Sequence, residues 1–159
     1  MIFVTVGSQK FQFNRLLKKV DQMAGNGVIT EEVCIQTGVS DYIPGHCRHR
    51  PFYNRNVLSE MIGSRSILIT HGGEGIMVDA VKRGKKTIVV PRLARYGEHV
   101  DDHQLQLMEQ FHEMNLIYAC PEVDQLEEAL QEIRNHRFDV YHSNTGAFIS
   151  ALDRDICSL

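Results

Sequence analysis

The chain has 159 residues, 43% of them hydrophobic and 23% charged, with a formal net charge of −3. That length suits a single domain with its own core, and the faintly acidic balance excludes the basic footprint of a nucleic-acid binder. No apolar run approaches the ~20 residues that span a bilayer, and the opening MIFVTVG runs straight into polar sequence, so it reads as a buried strand and not a secretory leader.

In chain order, short apolar runs predict strands at 2–6, 32–36, 66–70, 87–90 and 116–119, with a weaker one at 47–51. Amphipathic stretches between them predict helices at 13–23, 54–63, 75–83, 102–114 and 123–134, and a last one over 145–157. Gly84 stands where a glycine closing the 75–83 helix belongs. Continuous runs such as ILIT and TIVV suit strands covered on both faces. The alternation implies an α/β fold: a doubly wound, mostly parallel sheet forming one domain over residues 1–159. Such sheets bind ligands outside the carboxyl ends of their strands. Three candidate segments fall there: Gly7-Ser8-Gln9, the HGGEG turn at 71–75, and the loop 92–99.

Cys34, Cys47, Cys120 and Cys157 show no CxxC spacing, which points to free thiols in a reducing cytoplasm. His99 and His103 lie four apart, but no third ligand accompanies them, so no metal site is assigned. At the HGGEG turn, His71 is followed by Gly72, Gly73 and Gly75, where a missing Cβ lets backbone approach a ligand. The helix that follows offers unpaired N–H groups and a positive dipole end, an anion site. The alternative is a tight strand-to-helix turn whose glycines serve packing. GGEG matches neither GxGxxG nor a P-loop, which disfavours a kinase or NTPase. Asp79, a turn into the helix, suits either a ribose hydroxyl or plain solvent.

These residues carry a resemblance. The ordered set FVTVGS, Pro51-Phe52-Tyr53, THGGEGI, Asp79, GKKTIVVP and His103-Gln104-Leu105-Gln106 resembles the C-terminal domain of glycosyltransferase family 28. The resemblance is closer still to short single-domain members such as the catalytic subunit of the dolichol-linked UDP-N-acetylglucosamine transferase and bacterial exopolysaccharide subunits. The resemblance implies a Rossmann-like donor half of a GT-B enzyme. Phe52 and Tyr53 would lie beside uracil, with core packing the alternative for Phe52. Gly72, Gly73 and Gly75 would hold the diphosphate, faced by Gly7 and Ser8, and Asp79 would hold the ribose. His103 and Gln104 would bind sugar hydroxyls, with a helix-surface position the alternative for Gln104. Two residues depart from the family: Glu74 stands where a small residue is usual, and Ile76 where a hydroxyl is common.

The implied reaction is inverting transfer of a hexose or N-acetylhexosamine from a UDP-sugar to a lipid-linked acceptor. It would serve polysaccharide or glycolipid biosynthesis. The acceptor site would lie in a membrane-anchored partner that recruits this cytoplasmic chain to the membrane. Such chemistry needs a base and stabilisation of the leaving diphosphate. His99 and Glu98 are the candidate bases. Asp101-Asp102 is adjacent and not spaced as DxD, so a metal-independent enzyme without cofactor is expected. The alternative function is a nucleotide-sugar-binding subunit without independent catalysis.

Overall fold

Every residue of β1 (Ile2–Thr5), β2 (Val33–Gln36) and β4 (Ile67–Thr70) is buried, which follows from their lack of a solvent-facing polar side. The computed structural model describes residues 1–8, 10–64 and 66–140. In it these strands join β3 (Arg48–Arg50), β5 (Lys86–Val89) and β6 (Tyr118–Ala119) in one sheet of order β3-β2-β1-β4-β5-β6. All pairings are parallel. The expected doubly wound α/β fold is therefore the fold observed.

Side chains alternate across the strands with period two, so each strand feeds two cores. Ile2, Val4, Ile35, Ile69 and Ile88 pack on one face. That face is covered by α1 (Asn14–Gly25), through Leu16, Leu17 and Val20, and by α5 (Leu126–Ile133). In α5 the buried residues Leu126, Ala129, Leu130 and Ile133 recur at i, i+3, i+4 and i+7, one apolar stripe. On the other face, Phe3, Cys34 and Leu68 meet α2 (Arg55–Ser64) and α3 (Glu74–Lys82) through Met61, Ile62 and Ala80. Val89 meets Met77 of α3 and Leu107 and Phe111 of α4 (His103–Glu113). Gly84 takes φ +67° just past the α3 cap residue Arg83, as a helix-closing glycine does.

Two local differences from the sequence expectation stand out. The strand expected at 116–119 shortens to β6, because Leu116 and Ile117 are buried in the α4 cluster ahead of the ladder. Residues 123–125 form a 3-10 turn ahead of α5. The β2–β3 connection holds no helix; it is anchored by Asp21 of α1, which accepts from the Tyr42 hydroxyl (2.6 Å) and from the Gly45 and His46 amides (3.0 and 2.8 Å). Burial pushes the Asp21 carboxyl upward, but these donors prevail and hold it below the usual carboxylate range. The three described cysteines carry free thiols. The helix expected at 145–157, with Cys157, lies outside the described residues. Among those described, no helix is long and apolar enough to cross a membrane.

Candidate functional site

From β1 the chain moves outward to β2 and β3, then returns to β4 on the other side of β1. The strand order therefore reverses between β1 and β4, and the crevice above their carboxyl ends is where folds of this kind take ligands. Gly7 and Ser8 leave β1 there, and His71 to Gly73 leave β4. Gly7 has φ +76°, a conformation that side chains other than glycine's rarely adopt.

His71 joins the two loops. Its ring is 4% exposed, and a Cβ on Gly7 would lie 2.4 Å from its Nε2, one on Gly73 2.2 Å from its Cε1. Neither ring nitrogen has a hydrogen-bond partner in good geometry. Burial, aided by the Arg92 guanidinium, pushes its pKa down to about 3, while the nearby Gln104 side chain acts in the opposite sense. The ring is thus a neutral wedge at neutral pH. A Cβ on Gly72 would meet Gln104 Cβ at 2.6 Å and its carbonyl oxygen at 2.7 Å. Gly7, Gly72 and Gly73 are therefore required by close packing within the protein. At Gly75 nothing lies within 4 Å of a built Cβ, so its side of the turn is open. Met77 N bonds back to Gly73 O (3.2 Å), so the amides of Glu74, Gly75 and Ile76 precede the first intrahelical bond and form the anion-favouring end of α3.

The loop after β5 is fastened from inside. Arg92 is fully buried, and its guanidinium donates to the carbonyls of Phe11 (2.8 Å), Gln12 (3.2 Å), Glu98 (3.3 Å) and Val6. Burial lowers its pKa to about 10, opposed by the Glu98 carboxylate, so it stays cationic at neutral pH. Arg92 N donates to Gln104 Oε1 at 3.2 Å. Gln104 is only 2% exposed, neither the surface helix residue of one expectation nor open to the crevice. It supports the turn from beneath. Glu98, expected as a candidate base, is 1% exposed and accepts from Arg15 Nε and Nη2 (both 3.1 Å) and from Leu93 N (3.0 Å). A carboxylate so enclosed holds the loop and has no open edge for a substrate proton.

His99 is placed differently. Its Nδ1 lies 3.1 Å from Asp101 Oδ1, and the side chain remains 16% exposed. With the proton on Nδ1, this contact orients the ring and leaves Nε2 as the basic nitrogen. His103 opens α4, partly exposed, its amide donating to Asp101 Oδ1 (3.0 Å). Phe52 is 49% exposed, which removes the core alternative for it. Tyr53 stands edge-on to Phe3 with ring centroids 6.0 Å apart. Asp79 pairs with Arg83 (3.1 Å), whose guanidinium also reaches Ser59 of α2. Ser8 is exposed. Ile76 packs against the Phe3–Met61 cluster, an apolar role that accounts for a hydrocarbon side chain where a hydroxyl is common.

Gly7, His71, Gly72, Gly73 and Gln104 thus form one close-packed cluster. Sequence reasoning missed Arg92, Arg15 and Asp101. A signal existed for Gln104: it opens the buried series 104, 107, 108 and 111 of α4 at i, i+3, i+4 and i+7, a core position. For Asp101 the signal was its spacing from His99. For Arg92, next to the apolar TIVVP run, there was none.

Comparison with known proteins agrees with this architecture. The model of the glycosyltransferase family 28 C-terminal domain matches residues 1–155. No curated protein sequence gives a significant match. Among solved structures, the fold is similar to the NMR solution structure of ALG13, at 18% identity and a TM-score of 0.62, with 91% of each chain covered. It is also similar to the glycotransferase of kitacinnamycin (13%, TM-score 0.60) and to CalG4, the calicheamicin glycosyltransferase (15%, TM-score 0.58). Those two likenesses cover 99% of this chain but 39% of the other, so the chain spans well under half of either enzyme. At such identities a likeness establishes the fold alone. With a family match over nearly its full length, the chain belongs to the glycosyltransferase family 28 C-terminal domain family.

Proposed function

We propose that the chain is the donor-binding and catalytic subunit of an inverting, UDP-sugar-dependent hexosyltransferase. It passes a hexose or N-acetylhexosamine to a lipid-linked acceptor in polysaccharide or glycolipid biosynthesis. A membrane-anchored partner supplies the acceptor site at the cytoplasmic face. The observation that carries this reading is that the open α3 N-terminus after β4 and the His99–Asp101 pair after β5 follow the carboxyl ends of adjacent parallel strands. Family membership and the glycosyl-transferring neighbours support the reaction class.

In this mechanism the UDP diphosphate lies against the amides of residues 74–76, which stabilise the charge that builds as it departs. Gly7 and Ser8 face it from the β1 loop. The neutral His71 ring, packed against Gly7 and Gly73, fixes the two loops against each other beneath the diphosphate. Phe52 and Tyr53 flank the base, Asp79 the ribose, and His103 the sugar. The acceptor hydroxyl attacks the anomeric carbon, its proton passes to His99 Nε2, and the bond to the UDP oxygen breaks. Glu98 and Gln104 act as positioning groups. Leaving-group charge is met by helix amides, so the reaction is proposed to need no metal.

Calorimetry with UDP and then UDP-sugars tests donor binding; absence of binding at millimolar ligand would overturn the reading. Transfer to a lipid-linked acceptor is then measured with and without the partner, in the presence of EDTA. His99→Ala should lower kcat by ~100-fold or more while leaving UDP affinity unchanged. Glu74, at the head of the diphosphate site, favours a second reading. If UDP-sugars bind but no transfer occurs with any partner, the chain is a binding subunit alone.

A further inference from the structure

Charge and exposed apolar surface gather at the outer edge of the sheet, away from the β1–β4 crevice. β3 is an edge strand, and Arg48, His49 and Arg50 are all exposed. Residues 42–59 contain Arg48, Arg50 and Arg55, with His46 and His49, and no aspartate or glutamate, on a chain whose net charge is −3. Val39, Ile43 and Val57, three of the large hydrophobic residues exposed among the described residues, lie in or beside this stretch at 47%, 76% and 36%. A cavity of about 540 Å³ opens there, lined by Arg48, His49, Arg50, Tyr53 and Val57. Arg50 lies over the Tyr53 ring at 5.8 Å.

We infer that this β3 edge docks directly on an anionic lipid surface. Basic side chains beside exposed aliphatic ones are what an interfacial site requires: the cations meet phosphate headgroups while the apolar tips enter the acyl boundary. A second copy of the chain is a poor occupant, because edge-to-edge pairing would set Arg48 and Arg50 against like charges. The nearest carboxylate, Glu32, pairs with Arg48 at 3.3 Å but leaves that side chain 80% exposed. Asp41 is bonded to Asn14, and Glu60 lies further along α2. In the other basic cluster, at Lys82 to Lys86 and Arg134, three cations are held internally. Arg83 holds Asp79, Lys86 donates to the Ile133 and Arg134 carbonyls, and Arg134 pairs with Glu31. Docking through β3 brings Phe52, and with it the crevice edge, beside the lipid surface.

The test is co-sedimentation of the full chain with phosphatidylcholine vesicles, with and without 30% phosphatidylglycerol. No donor or acceptor is needed, so the outcome is separate from the proposed transfer reaction. Partition into the anionic vesicles alone is expected, released at high salt. Each arginine changed to glutamine should weaken it about fivefold, and Arg48→Gln/Arg50→Gln/Arg55→Gln about a hundredfold. Ile43→Ser should weaken it without altering the salt dependence, and Lys85→Gln/Arg137→Gln should leave it unchanged. Circular dichroism verifies that each variant is folded. Failure to bind anionic vesicles, equal binding to phosphatidylcholine alone, binding unaffected by the triple change, or binding lost through Lys85 and Arg137 would each overturn the inference. So would capture of an acidic peptide without vesicle binding.

Discussion

The two loops that frame the crevice are built on opposite terms. The 71–75 turn is rich in glycine, yet its close approaches are occupied by the protein itself: His71 fills the space a Cβ would take at Gly7 and Gly73, and Gln104 fills that at Gly72. The 91–102 loop has a single glycine, Gly97 at φ +68°, and is held by an arginine and a glutamate buried beneath it. Glycine in a strand-to-helix turn reports that something comes close to the backbone, and not what that something is. Only Gly75 retains open space on the side a ligand would use.

The largest effect should come from the loop's fastening. Arg92→Met leaves the carbonyls of Val6, Phe11, Gln12 and Glu98 without their shared donor and removes the cation that faces Glu98. Such a change should cost about 3–5 kcal/mol in urea unfolding. Arg92→Lys should recover little, because one ammonium cannot reach the carbonyl acceptors of the β1 loop and of Glu98 together. An unchanged midpoint would mean that the loop is held by something else.

The turn is tested by two glycines two residues apart. Gly73→Ala puts a methyl into the buried His71 ring and should cost about 2 kcal/mol or more. Gly75→Ala meets nothing and, inside the first turn of α3, should stabilise by about 0.5 kcal/mol. Equal effects at both positions would erase the distinction between a packing glycine and an open one.

That distinction explains what was legible in the sequence. Strand order and the two cores follow from apolar runs and their period, so the doubly wound sheet could be read from residues such as ILIT and TIVV. The family likeness could be read from an ordered set of short segments. The glycine turn could be located but not interpreted, since a filled close approach and an empty one leave the same residue behind. Glu98 looked like a candidate base beside His99, because neighbours in sequence do not reveal that one side chain turns inward to Arg15 and the next toward Asp101. Arg92 was invisible because an arginine is ordinarily a surface residue, and its partners are carbonyls, which every residue supplies.

His71 gives a pH test of the turn alone. Its folded pKa is depressed, so the neutral ring is favoured in the native state and the unfolded chain takes up the proton first. Stability should therefore fall as pH drops below the ordinary histidine value near 6.5, continuing toward about 3. Between pH 6.5 and 5, above the range where most carboxylates titrate, the loss should be about 1.5–2 kcal/mol. The His71 ring should show no protonation by NMR across that interval. Titration near pH 6.5 would mean that the ring is solvated and that Gly7 and Gly73 enclose nothing.

The smallest effect on folding belongs to Asp79, and it separates the open side of the site from the filled one. Its partner Arg83 is four residues on, and exposed helix pairs contribute only about 0.3–0.5 kcal/mol, so Asp79→Ala should barely move the unfolding midpoint. If the carboxylate also accepts from ribose hydroxyls, UDP affinity should fall about tenfold, since hydrogen bonds to a charged group exceed neutral ones. Arg83→Gln decides between the two roles. It removes the ion pair and the two bonds to Ser59 but leaves the carboxylate in place, so stability should drop by about 1 kcal/mol while UDP affinity holds or rises. If Arg83→Gln weakens UDP as much as Asp79→Ala does, the pair acts by fixing α3 against α2 through Ser59, and the ribose contact lies elsewhere.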